Sequence, residues 1–352
     1  MPLIAVARKL RAKVPDVELL FVGPKGAMEK KIMAAENIRC RYLMSGKIRR
    51  YMSSLNFIDF FRIIIGCFQA LWILLWDLPD AIFSKGGYAS IPVVLISAIY
   101  RIPVLIHESD SVPGITNKIL GKFAERVALA YKEASKFFPP SQFVITGNPL
   151  RDEVLNGDPE KARQKFSLNR DKKVLFIYGG SQGAKIINEG IIRILKKLLV
   201  DYQIIHQTGE SNYDEVRHKV GEFGIKAGHE GYYPVPFIEE GLNDIFAVAD
   251  LVIARAGANT ISEIAANGKA SIIIPIESSA NNHQRMNAYA LAKIGACMVL
   301  DENNLGEHLF FNAIEQIMTD ESVRNKLTSN IKVFYHPNAA DTIAEGIIGL
   351  TE

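Results

Sequence analysis

The stretch Ala249-Asp-Leu-Val-Ile-Ala-Arg-Ala-Gly-Ala-Asn-Thr-Ile-Ser-Glu263 decides how this chain is expected to fold. Its apolar half reads as a buried parallel strand that stops at Gly257, and Ile261–Asn267 reads as a helix opened by Thr260. A strand that turns directly into a helix offers unpaired backbone N–H groups and the positive end of a dipole at the sheet edge, which suits a phosphate. Glu263, one turn into the helix, is placed to accept hydrogen bonds from vicinal hydroxyls such as those of a ribose. Phosphate and ribose together point to a nucleotide. The alternative is that Asn259 and Thr260 only cap the helix and Glu263 is a favourable first-turn charge.

A second glycine turn, Tyr178-Gly-Gly-Ser-Gln-Gly-Ala184, favours the nucleotide. Gly179, Gly180 and Gly183 permit close backbone approach, and Ser181 can hydrogen-bond a phosphate oxygen at a helix start. The spacing is not G-x-G-x-x-G, and no acidic residue closes the next strand, Ile204–Gly209, so a dinucleotide fold is disfavoured. Without Gly-Lys-Ser/Thr it is not a Walker A loop either. Downstream, Ser278–Gln284 supplies amides and an imidazole, His283 and Gln284 among them, that suit sugar hydroxyls; a plain polar loop is the other reading. In the first half, Gly86-Gly87-Tyr88 and His107-Glu-Ser-Asp110 stand at strand ends. His107 and Glu108 are acid/base candidates, set against a purely structural histidine.

Outward from these turns the chain alternates strand and helix, which predicts two doubly wound α/β domains with parallel sheets. The first is expected over residues 1–149 and the second over 150–336, with polar 156–169 as linker and entry helix. The last helix, within 337–352, is expected to cross back and brace the first domain. Facing sheets would leave a cleft at their carboxyl ends, where ligands bind. The 352 residues, 48% hydrophobic and 22% charged, suit two soluble cores. A net charge of +3 gives no case for nucleic acid. Cys40, Cys67 and Cys297 match no metal or disulfide pattern and indicate a reducing compartment. Ile63–Trp76 is apolar but shorter than the roughly 20 residues a span needs. It reads as a core helix of the sheet, or else as a face that rests Trp72, Leu75 and Trp76 on a bilayer aided by Arg62 and Lys122.

Read together, Ser84-Lys-Gly-Gly-Tyr88, His107-Glu108 with Val112–Asn117, Thr146–Arg151, Gly179–Ala184, His206–Gly209, Arg255–Ala258 with Thr260–Glu263, and His283-Gln284 with Asn287-Ala288 occur in the order seen in MurG-type transferases. The chain resembles these N-acetylglucosaminyltransferases, which convert lipid I to lipid II in peptidoglycan synthesis, over nearly its whole length. The resemblance implies a GT-B fold, an inverting reaction without metal or cofactor, and UDP-N-acetylglucosamine held mainly by the second domain. By motif position the donor-site residues would be Arg151, Ser181, Ile238, Ala258, Asn259, Thr260, Ile261, Ser262, Glu263, His283 and Gln284, with Gly179, Gly180 and Gly183 near the pyrophosphate. Lipid I would lie against the first domain, at an anionic membrane surface on the cytoplasmic face of the cell membrane, in the company of other cell-wall synthesis proteins.

Two departures from that pattern stand out. Members of the family begin with a strand and a Gly-Gly-Thr-Gly-Gly-His loop, whose histidine is the usual base, and here Met1 stands past that point. Either the start was chosen too far downstream, or the protein lacks the loop, and then His107 or Glu108 would have to substitute. Asp110 replaces a usual asparagine near the donor. The alternatives are a UDP-sugar-binding protein without transfer, and a UDP-N-acetylglucosamine epimerase of the same architecture.

Overall fold

The computed structural model describes residues 2–46, 54–180, 183–277 and 282–352. The chain divides into two compact units, Met1–Pro149 with Asn338–Glu352, and Leu150–Pro337.

The first unit runs α1 (Pro2–Lys13), β1 (Leu20–Gly23), α2 (Ala27–Ala35), β2 (Arg39–Tyr42), α3 (Ser54–Asp77), β3 (Ile82–Ser84), α4 (Ile91–Tyr100), β4 (Val104–Glu108), α5 (Ile115–Leu120), β5 (Arg126–Leu129) and β6 (Phe143–Ile145). Among the described residues its strands form two parallel pieces, β1-β2 and β3-β4-β5-β6, rather than the single sheet expected. β4 is buried at every position, as a strand covered on both faces must be. Pro92 enters α4 in its first turn, where its missing N–H costs nothing.

The second unit runs α6 (Pro159–Lys165), β7 (Lys173–Tyr178), α7 (Lys185–Asp201), β8 (Tyr202–Gln207), α8 (Tyr213–Glu222), β9 (Tyr232–Val235), α9 (Leu242–Val248), β10 (Leu251–Ala254), α10 (Ala258–Ala266), β11 (Ser271–Ile273), α11 (His283–Lys293), β12 (Met298–Val299), α12 (Glu307–Thr319) and α13 (Glu321–Lys332). Its sheet has the order β12-β11-β10-β7-β8-β9, all parallel. Side chains alternate between two cores. Leu175, Ile177, Ile204 and Ile253 enter one, and Val174, Phe176, Ile205 and Val252 the other. Each such burial contributes about 1.5–3 kcal/mol. Pro234, with no N–H to donate, sits in the edge strand β9, the place a sheet tolerates it.

The last helix, α14 (Ala339–Ile348), belongs to the first unit. Its Ile343, Ala344 and Ile347 pack with Val6 and Leu10 of α1 on Leu105 and Ala128. Lys9 pairs with Asp341 at 3.0 Å and Lys13 with Glu345 at 2.8 Å.

The core-helix expectation for Ile63–Trp76 is corrected. The helix extends over Ser54–Asp77, and its apolar part, Phe57–Asp77, is long enough to cross a membrane and only 22% buried. A narrow stripe, Gly66, Ala70 and Leu74, packs inward, with Ala70 and Leu74 joining Val93 and Ile96 of α4. A Cβ at Gly66 would stand 2.2 Å from the carbonyl oxygen of Met44, so only glycine lets the helix approach that closely. Phe57, Phe60, Phe68, Trp72 and Trp76 are left exposed, Trp76 at 78%. Periodicity suggested burial because nearly every side of the helix is apolar, whereas the packed face is set by its small residues.

Candidate functional site

In the second unit β7 and β10 are neighbours, with Tyr178 opposite Ala254. From β7 the chain leads toward β8 on one side, and from β10 toward β11 on the other. The two strands therefore flank the topological switch point, where a doubly wound sheet binds its ligand beyond the carboxyl ends. Both glycine turns leave from this place.

The first turn is built by close approach. Gly180 and Gly183 have φ of +75° and +74°, and a Cβ on Gly183 would lie 2.0 Å from the Thr208 carbonyl oxygen. Gln207 fixes the turn from below: its Nε2 donates to Gly180 O at 2.6 Å, while its Oε1 accepts from Ile238 N at 3.3 Å. Beneath it runs a buried polar chain. Asn188 Nδ2 donates to Thr208 O (3.0 Å), so its Oδ1 accepts from His206 Nε2 (2.9 Å), and His206 Nδ1 accepts from the Tyr232 hydroxyl (2.8 Å). Burial lowers the His206 pKa to about 3, so the ring is neutral. Ser181 lies outside the described residues, as do 278–281.

The second turn differs from expectation at its start. α10 begins at Ala258, with Gly257 as N-cap and no side-chain cap, so Thr260 lies inside the first turn rather than opening it. α7 likewise starts without a side-chain cap. Two helix N-termini without a side-chain cap thus leave adjacent strands. Asn287 Nδ2 holds Ala256 O at 3.3 Å, and Arg255, paired with Glu302 at 2.7 Å, donates to Ile274 O at 3.2 Å.

Glu263 is buried on α10. Tyr178 Oη donates to its Oε2 at 2.9 Å. Burial raises its pKa to about 7, opposed by the Tyr178 hydrogen bond and the Arg151 charge. Of the other expected donor residues, Ala258, Asn259 and Thr260 are at least partly accessible. Ser262 Oγ is spent on Ala258 O at 2.8 Å, Gln284 Oε1 accepts from Ile276 N at 3.2 Å, and His283 is half-buried at the start of α11. Ile261 and Ile238 place their side chains in the core and can offer a ligand only backbone. Tyr178 and Gln207 were not singled out from the sequence. Both sit at the last position of a buried strand, just before a glycine turn, and a polar side chain there was the available signal.

In the first unit the candidate acid/base groups are engaged internally. His107 Nε2 lies 3.0 Å from the Gly147 carbonyl, which can only accept, so Nε2 carries the proton and Nδ1 accepts from Lys85 Nζ at 2.8 Å. The ring is wholly buried, and burial with the nearby Lys85 charge drives its pKa well down. Lys85, a residue the sequence reading left without a role, has its own pKa lowered by burial to about 8. Glu108 accepts from Asp110 N (2.9 Å), Gly114 N (3.2 Å) and Asn117 Nδ2 (2.8 Å). As placed, both ring nitrogens of His107 are engaged and three donors meet the Glu108 carboxylate, two of them on Oε2 and one on Oε1. Asp110 is half-buried and supports the Glu108 turn through its N–H. Among the described residues no group of three or more His, Cys, Asp or Glu is arranged to hold a metal ion.

Comparison with known proteins identifies the family. Residues 1–129 match the glycosyltransferase family 28 N-terminal domain, and residues 174–343 match its C-terminal domain. A Clostridium perfringens UDP-N-acetylglucosamine--N-acetylmuramyl-(pentapeptide) pyrophosphoryl-undecaprenol N-acetylglucosamine transferase is 38% identical over 98% of this chain and 93% of its own length. The Bacillus subtilis protein of the same name is 34% identical over 96% and 93%. The chain belongs to the MurG-type transferases of glycosyltransferase family 28. It is a glycosyltransferase, and its two units are those of the GT-B class. The crystal structure of Acinetobacter baumannii MurG matches with a TM-score of 0.77 at 26% identity, over 99% of this chain and 95% of that one. A UDP-GlcNAc 2-epimerase from Neisseria meningitidis matches with a TM-score of 0.71 at 12% identity, a likeness of fold alone.

Proposed function

We propose that the chain transfers N-acetylglucosamine from UDP-N-acetylglucosamine to the 4-hydroxyl of the muramoyl sugar of lipid I, with inversion, to give lipid II. The observation that carries this reading is the switch point of the second unit, where two uncapped helix N-termini and the Glu263 carboxylate leave adjacent strands. Glu263 takes the ribose diol. Gly179, Gly180 and Gly183 admit the diphosphate, and Ser181, Asn259, Thr260, His283 and Gln284 complete the donor contacts. The acceptor oxygen forms its bond to the anomeric carbon as the bond to UDP breaks on the opposite face, and a general base takes the hydroxyl proton as the new bond forms. Negative charge grows on the departing diphosphate, and the helix dipoles with Arg151 stabilise it there.

The exposed aromatic face of α3 supports peripheral binding of the first unit to the cytoplasmic face of the cell membrane, where a lipid-linked acceptor resides. Phe57, Phe68, Trp72 and Trp76 would enter the interface, with Arg62, Lys118 and Lys122 near anionic headgroups. Substituting Trp72 and Trp76 together with serine is expected to lower partition onto vesicles containing phosphatidylglycerol by at least about tenfold, measured by sedimentation.

The test of the reaction is transfer of labelled N-acetylglucosamine to a lipid I analogue. Labelled lipid II supports the reading. Donor binding without transfer would leave a UDP-sugar-binding protein, and turnover of the donor with no acceptor present would indicate an epimerase.

A further inference from the structure

Glu263 is buried, yet among the described residues only the Tyr178 hydroxyl donates to its carboxylate, at 2.9 Å on Oε2. The phenol is itself held in place. Its ring stacks on Phe176 with centroids 5.2 Å apart at 23°, and meets Phe246 edge-on at 5.7 Å and 88°. Phe176 and Phe246 are fully buried, so the position of the Tyr178 oxygen is fixed by the core of the unit. A carboxylate reached by a single hydrogen bond from a rigid donor has one oxygen oriented and the other left for a ligand.

We infer that Tyr178 is a positioning residue for the sugar-nucleotide donor: its hydroxyl holds the Glu263 carboxylate, by Oε2, in the orientation that receives the ribose diol. This rests on the donor-site reading given above. Both ribose hydroxyls must donate, so the carboxylate has to be ionised and turned toward them. A phenol donor favours that form, because it can donate to a carboxylate oxygen but offers no second positive charge to compete with a diol. Burial works the other way and raises the Glu263 pKa to about 7, while Tyr178 and Arg151 lower it. Those two are the polar and charged groups that face Glu263 among the described residues of its unit. Tyr178 remains protonated throughout, since burial and Glu263 raise its own pKa.

The test is UDP binding by calorimetry between pH 5.5 and 8.5 on the full chain, with Tyr178→Phe, Glu263→Gln and the double variant. Phenylalanine keeps both ring contacts, and unchanged thermal unfolding would confirm that the fold survives. Tyr178→Phe is expected to weaken UDP about tenfold at pH 7. It should also move the pH below which affinity falls upward, because a group that lowers the Glu263 pKa has gone. The effect should vanish for 2′-deoxy-UDP and in the Glu263→Gln background, as coupled residues require. With saturating donor, kcat should stay within about twofold. An unshifted pH limb, or losses from Tyr178→Phe and Glu263→Gln that simply add, would overturn the inference. If instead wild type and Glu263→Gln bind UDP equally, the donor-site reading itself fails.

Discussion

Glu108 and Glu263 are both carboxylates buried near the carboxyl edge of a parallel sheet, one in each unit, and burial raises the pKa of both. They differ in how their oxygens are used. Glu108 receives three donors across both oxygens and closes the loop from Asp110 to Asn117 on itself. Among the described residues Glu263 receives one, from Tyr178. A buried polar group costs free energy until it is hydrogen-bonded. Glu108 has recovered that cost within the protein, whereas Glu263 recovers it in full only when a ligand donates. The histidines follow the same logic: His107 and His206 both have two engaged ring nitrogens and belong to the scaffold.

The comparison breaks most visibly on stability. Glu108→Gln replaces an acceptor with an amide that faces N–H donors, and is expected to cost about 2–4 kcal/mol, read as a lower unfolding midpoint in urea. UDP affinity should change less than about twofold. Acid should act on both units through the histidines. The folded pKa of His206, about 3, lies below its ordinary 6.5, so its contribution to stability is present above pH 6.5 and is lost as pH falls toward 3. Unfolding followed between pH 7 and 4 should show that decline.

Glu263→Gln should behave oppositely to Glu108→Gln. The folded pKa of Glu263, about 7, lies above its ordinary 4.5, so the ionised carboxylate penalises the folded state as pH rises from 4.5 to 7. The amide removes that penalty, and at pH 8 the unliganded variant should be more stable by something on the order of 2–3 kcal/mol. Its advantage should fade by pH 4.5. The smallest effect is expected from Lys85→Met, roughly 1 kcal/mol, with the His107 pKa rising as the neighbouring charge is removed. A larger loss of transfer than of stability in that variant would show that the first-unit cluster does more than support its loops.

Much of this was legible in the sequence because the strands of the second unit are short apolar runs that end in glycine. Ala249–Glu263 and Tyr178–Ala184 announced both turns, and the order of motifs named the family. The start of α10 was misplaced by three residues because Asn259 and Thr260 are good caps by type, while the cap is Gly257. α3 was read inward because its sequence is apolar on nearly every side, and only the placement of Gly66 and Ala70 against neighbouring backbone and helix decides which face packs. His107 and Glu108 were singled out by residue type, which does not reveal partners. Lys85, Gly147 and Asn117 reach them from other elements. Tyr178 was hidden for the same reason, since its partner lies 85 residues away in the chain.

The most direct test of the difference between the two carboxylates is a single calorimetric series of UDP-N-acetylglucosamine into wild type, Glu108→Gln and Glu263→Gln at pH 8. The account predicts that Glu263→Gln weakens binding by about 10- to 30-fold while Glu108→Gln, where folded, binds as wild type does. Equal affinity in wild type and Glu263→Gln, or a loss confined to Glu108→Gln, would contradict it.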